Sequence, residues 1–156
     1  MGQKRTETGL KDVCFFDPRL KILFRDVMFL FFGALLGFVS VAFGAFAAHG
    51  LKDVVSDASL NSLAVAINYN QINAVVISAI GLAQIANPKI MNMSLLNWSA
   101  SLFIIGTGLF SFSVYLSVVF ESPGLTSLMP FGGMMIIAAW LLTAYVGFAI
   151  ARDRNE

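Results

Sequence analysis

Four long apolar runs, at residues 27–48, 63–86, 98–120 and 131–151, alternate along the chain with short polar connections. They contain 22, 24, 23 and 21 residues, and about 20 helical residues suffice to cross a hydrocarbon core. Each run therefore predicts one membrane-spanning helix. The connections contain the expected breakers, Gly50, Asn87-Pro88, Ser122-Pro123-Gly124 and Pro130, and none is long enough to hold a domain of its own. The pattern predicts an all-α integral membrane bundle of four transmembrane helices over residues 27–151. A polar arm precedes it at residues 1–26 and a short tail follows at residues 152–156. In the arm, Asp17 as N-cap and Pro18 at the first helical position would start a short interfacial helix or simply lead into the first span.

Within the runs, small and polar residues are not scattered. Lipid tails are as apolar as leucine, so helices in a bilayer associate through close backbone packing and interhelical hydrogen bonds. Gly33, Gly37, Ser40, Gly44 and Ala48 recur every three or four residues and form one face of the first helix, which predicts its tightest contact. Ala144, Gly147 and Ala151 repeat the pattern in the fourth run, Ser99, Gly106 and Ser113 recur every seven residues in the third, and Gly132-Gly133 opens the fourth. The second run differs, because Asn68, Asn70, Gln71 and Asn73 place four amides in its first half on no single face. An amide left unpaired in hydrocarbon is costly, so this segment is expected to be enclosed by protein or water, at the bundle centre or at an oligomer contact.

The composition fits a membrane protein: of 156 residues, 58% are hydrophobic and 12% charged, with a mean hydropathy of +0.80. A formal charge of +1 implies no attraction to nucleic acid. The placement of charge says more than its sum. Lys4, Arg5, Lys11, Arg19, Lys21, Arg25, Lys89, Arg152 and Arg154 fall on one side of the predicted membrane and Lys52 alone on the other, which predicts that both termini are cytoplasmic. His49, Lys52, Asp53, Asp57 and Glu121 then lie outside. His49, Asn68, Tyr69, Asn70, Asn73, Ser111, Ser113 and Tyr115 come to roughly one depth in the outer half and form the candidate polar site.

Other chemistry is sparse. The four apolar runs contain no Asp, Glu, Lys or Arg, the groups on which proton-coupled transport and charged filters rely. His49 is the single histidine, and it reads best as an interfacial residue closing the first helix. For Ser111 and Ser113 the single base at their depth is His49, whose acid partner would have to be Asp53 or Asp57 by chance of loop geometry, which is poor evidence for a nucleophilic triad. Cys14 alone can build neither an internal disulfide nor a multi-cysteine metal site. No catalytic residue, metal site or cofactor is expected.

The run Gly44-Ala45-Phe46-Ala47-Ala48-His49-Gly50-Leu51 resembles the Gly-Ala-Phe-Gly-Ala-His-Gly-Leu signature of the YgdD/YwdK-type small inner-membrane proteins. Further matches follow in order at Tyr69 with Ala74, at Leu109-Phe110-Ser111-Phe112-Ser113-Val114-Tyr115-Leu116, and at Pro130-Phe131-Gly132-Gly133 with Trp140, so the resemblance spans about residues 28–150. It implies a bacterial inner-membrane or organellar inner-membrane location and a family function that is uncharacterised. Ala47 replaces the family's glycine. The family's Tyr-Gln and following histidine in the second helix are here Tyr69-Asn70 and Asn73, which removes the second histidine that a metal pair or proton relay would need. The sequence thus favours a non-enzymatic structural or accessory membrane component, in contact with the lipid bilayer and acting as a homo-oligomer or within a larger complex. The alternative is a small permeation unit for a neutral solute, with the outer-half polar residues lining its path.

Overall fold

The computed structural model describes residues 18–87 and 93–153. The expectations for residues 1–17, for Lys89 in the second connection and for the last three residues lie outside them. Helix α1 comprises Pro18–Phe46 and continues through a five-residue π-helical turn, Ala47–Leu51. Helix α2 is Asp57–Ala86, α3 is Ser94–Val119 and α4 is Met129–Asp153. α3 is α-helical to Thr107, widens into a second π turn at Gly108–Phe112, and resumes as α-helix at Ser113. A short 3-10 helix, Pro123–Leu128, leads into α4. All four helices are long and apolar enough to cross a membrane, and no strand occurs among the described residues. Four crossings bring both chain ends to one face, here the terminal end. The first and third connections lie at the opposite, distal end.

The helices overrun the apolar runs, and at α2 a side-chain cap rather than hydrophobicity sets where the helix begins. α2 starts six residues before its run: Ser56 is extended, at φ −65° and ψ 155°, and its Oγ accepts the Ser59 backbone N–H at 3.2 Å. Pro18 does begin a helix, and that helix passes without interruption into the first span.

Packing is pairwise. α1 lies along α2, the first part of α3 lies along α4, and α2 meets α3 at the seam between the two hairpins. Glycines set the closest approaches. A methyl group on Gly33 would collide with Ser78 Oγ and lie 2.7 Å from Ser78 N, and one on Gly81 would lie 2.7 Å from Leu30 N. On the other hairpin, a methyl on Gly132 would meet Phe110 N at 2.5 Å and Gly106 O at 2.7 Å. Gly106 is also tight, with a methyl lying 3.0 Å from Gly132 O, whereas other glycines of the pattern have room. The same construction gives 3.7 Å at Gly37, 3.9 Å at Gly44 and 4.0 Å at Gly133, with open space at Gly147. Ser40, buried beside Gly37, donates to Gly37 O at 2.8 Å.

One charged side chain lies deeper than its place in the sequence suggests. Asp26, assigned above to the polar arm because the apolar run begins at Val27, is fully buried. Its Oδ1 accepts from Arg25 Nε at 3.1 Å and Nη2 at 3.0 Å, while Arg25 stays 36% exposed and extends to the surface. The cause is Gly81, where a methyl would lie only 3.1 Å from Asp26 O, so the bare backbone of α2 comes in over the start of α1. The charge missing from the apolar runs is thus present at the terminal end of the bundle. Gln84, one turn further along α2, is buried as well and donates from Nε2 to Asn97 Oδ1 at 2.6 Å.

Candidate functional site: a polar seam in the distal half

The seam between α2 and α3 is built from a short polar stripe on each helix. On α2, Leu63, Ala66, Asn70, Asn73, Ala74 and Ile77 are buried at spacings of three and four, so they share one face. The other amides of this segment, Asn68 and Gln71, are exposed together with Tyr69. On α3, Thr107, Ser111 and Tyr115 are buried at steps of four. Four-residue steps drift by about 40° per step in an α-helix of 3.6 residues per turn. The wider π turn at Gly108–Phe112 subtracts from that drift and keeps all three on the α2 side.

The two stripes bond to each other. Asn70 Nδ2 donates to the Tyr115 hydroxyl at 3.3 Å, Asn73 Nδ2 to Thr107 Oγ1 at 2.9 Å, and Ser111 Oγ to Ala66 O at 3.0 Å. Ser113 is buried but bonds within its own helix, donating to Phe110 O at 2.8 Å. The Tyr115 ring stacks on Phe43 of α1, with centroids 4.0 Å apart and planes 10° apart, so one side chain ties three helices together. Two acceptors remain without a donor, the amide oxygens Asn70 Oδ1 and Asn73 Oδ1.

Of the residues expected to gather at this depth, Asn70, Asn73, Ser111 and Tyr115 meet in the seam. His49 is exposed in the π turn that ends α1, and Asn68 is exposed on α2. Tyr69 lies outside the seam at 47% exposure, its ring 5.2 Å from that of Phe110. Thr107, the Ala66 carbonyl and Phe43 belong to the seam and were not singled out in the sequence. The four-residue recurrence of Thr107, Ser111 and Tyr115 is the signal that identifies the first of them. No three His, Cys, Asp or Glu side chains come together among the described residues in a way that could hold a metal ion. The seam's chemistry is that of neutral amides and hydroxyls, which donate and accept hydrogen bonds and carry no charge.

Comparison with known proteins gives these positions a family. A family model described as "Protein of unknown function (DUF423)" matches residues 43–133, the stretch from Phe43 through the seam to Gly133. A UPF0382 membrane protein of Haemophilus influenzae is 31% identical over 115 residues, covering 74% of this chain and 89% of that protein. The UPF0382 membrane protein SH2409 of Staphylococcus haemolyticus is 33% identical, with 74% and 90% covered. The chain belongs to the DUF423 family. Among the other relatives, the UPF0382 inner membrane protein YgdD of Escherichia coli is 28% identical over 113 residues, covering 72% of this chain and 83% of YgdD. The UPF0382 membrane protein YwdK of Bacillus subtilis is 27% identical. No solved structure matches the chain. The relatives named as membrane proteins and the four apolar helices together make this a multi-pass membrane protein.

Proposed function

We propose that this protein is a non-enzymatic membrane component whose central polar residues serve to lock two helical hairpins together, and that it acts as a structural or accessory unit. The observation that supports this is the pairing in the seam, where Asn70 is bonded to Tyr115, Asn73 to Thr107 and Ser111 to Ala66. These groups face one another across helices, as holding contacts do in hydrocarbon. The same logic recurs at the other hairpin, where Ser99 Oγ donates to Ala139 O at 2.9 Å. A second reading is supported by the amide oxygens of Asn70 and Asn73, buried without a donor, which a neutral donor-bearing solute could satisfy on its way through. Stopped-flow swelling of proteoliposomes in urea and glycerol gradients separates the two. The structural reading expects rates equal to those of protein-free vesicles, and a protein-dependent rate that falls in Asn73→Leu would establish permeation instead.

We further infer from the bias of basic residues that both termini are cytoplasmic, in a bacterial inner membrane or its organellar counterpart. The name of the Escherichia coli relative, an inner membrane protein, supports the location. Single cysteines placed at the exposed positions Val54 and Ser94, in a Cys14→Ser background, test the orientation. A membrane-impermeant maleimide added to intact cells should label Val54→Cys and leave Ser94→Cys unreacted until the membrane is opened. The reverse labelling would invert the topology.

A further inference from the structure

Beyond the seam, at the distal end, a cavity of about 510 Å³ lies between the start of α2 and the end of α3. Five hydroxyl side chains line it, from Ser56, Ser59 and Ser62 on the α2 side and Ser117 and Thr126 on the other, together with the carboxylate of Glu121. Val55, Val118 and Met129 supply an apolar wall.

The serine protons are largely committed elsewhere. Ser62 Oγ donates to Ala58 O at 3.0 Å and Ser117 Oγ to Val114 O at 2.9 Å. Of the two hydroxyl protons of Ser56 and Ser59, one lies between their oxygens at 3.0 Å and the other is left to donate, while Ser56 Oγ also takes the Ser59 N–H. What these oxygens offer a ligand is therefore chiefly lone pairs, and the Glu121 carboxylate adds two more acceptor oxygens. A cavity rich in acceptors selects a ligand rich in donors.

Glu121 also occupies its position at a local cost. It is the one non-glycine residue with positive φ among the described residues, at 50°. It directly follows Phe120, the C-cap of α3, where the helix presents its negative end and a carboxylate is disfavoured. Glu121 has no ion-pair partner among the described residues. The opposing α2 N-terminus, which would attract an anion, already has Asp57 in its first turn and the Ser56 cap. Acceptors, carboxylate and helix C-terminus all favour positive charge.

We propose that this distal cavity binds an alkylammonium group, with the N–H donors or positive charge directed to Glu121 and the serine oxygens and the carbon portion against Val55, Val118 and Met129. That chemistry occurs both in free amines and in the ethanolamine headgroup of lipids. The proposal is independent of whether the α2–α3 seam holds the bundle or passes a solute.

Radiolabelled methylammonium binding to the full-length protein in nanodiscs tests it. In phosphatidylglycerol discs, saturable binding is expected that is at least tenfold weaker in Glu121→Gln, with glycerol failing to compete. Repetition in phosphatidylethanolamine discs identifies the source. A weaker apparent affinity there points to the lipid headgroup as the occupant, and an unchanged one points to a free amine. Glu121→Gly guards against a folding artefact, because it relieves the positive φ while removing the carboxylate. It should match or exceed the wild-type thermal midpoint and still lose methylammonium. Absence of saturable binding in the wild type, or wild-type binding by Glu121→Gly, overturns the proposal.

Discussion

Gly132→Ala is expected to lower the thermal midpoint in detergent by about 6–12 °C, while Gly147→Ala, an identical chemical change on the same helix, leaves it nearly unchanged. Adding one methyl to a packed interior costs about 1–3 kcal/mol when side chains can yield. At Gly132 the atoms met are backbone, Phe110 N at 2.5 Å and Gly106 O at 2.7 Å, and these cannot rotate away. The cost should therefore reach the upper end, about 3 kcal/mol, and about 2–4 °C per kcal/mol converts it to the stated shift. Gly147 has nothing within 4 Å of an added methyl. Equal midpoints for the two variants would show that α3 and α4 do not approach as closely as described.

Tyr115 should be the most sensitive side chain of the seam. Truncation to alanine removes the ring that stacks on Phe43 at 4.0 Å and leaves Asn70 Nδ2 without its 3.3 Å partner. A buried aromatic cut to alanine costs about 3–5 kcal/mol. Tyr115→Phe retains the ring and loses only the hydroxyl, and interhelical hydrogen bonds in membrane proteins contribute about 0.6 kcal/mol on average and up to about 1.7. The expected order of thermal midpoints is wild type, then Tyr115→Phe slightly below it, then Tyr115→Ala far below both. If Tyr115→Phe fell as far as Tyr115→Ala, the hydroxyl rather than the stacked ring would be the dominant contact.

Much of this architecture was legible from the chain because a bilayer imposes a length on every apolar run, and the four runs each match it. The close approaches were partly legible. Gly33 and Gly132 do meet opposing backbone, but nothing in the spacing distinguishes them from Gly37, Gly44 or Gly133, because the difference depends on where two helix axes cross. The amides of α2 illustrate the same limit. Four polar residues on no single face say that some must be buried, and only the position of α3 decides that these are Asn70 and Asn73 and not Asn68 and Gln71. The π turns were invisible, since Gly108–Phe112 contains no residue that forbids an ordinary helix. Asp26 was placed outside the bundle because hydropathy counts a carboxylate as a boundary. The glycine that lets α2 cover it lies 55 positions further along the chain. The distal cavity escaped for a related reason, as its serines come from the start of α2 and the end of α3, which only the packing of those two helices brings together.

The pairing of α1 with α2 and of α3 with α4 bears on how the chain is made. A ribosome releases helices in order, and here each even-numbered helix finds its main partner already waiting in the odd-numbered one just before it. No span has to be held in lipid until a distant segment emerges, and the glycine contacts that close each hairpin can form before the next hairpin exists. Joining the hairpins across Asn70, Asn73 and Tyr115 needs only α3 beside a completed first hairpin, so the seam draws on no residue of the last span.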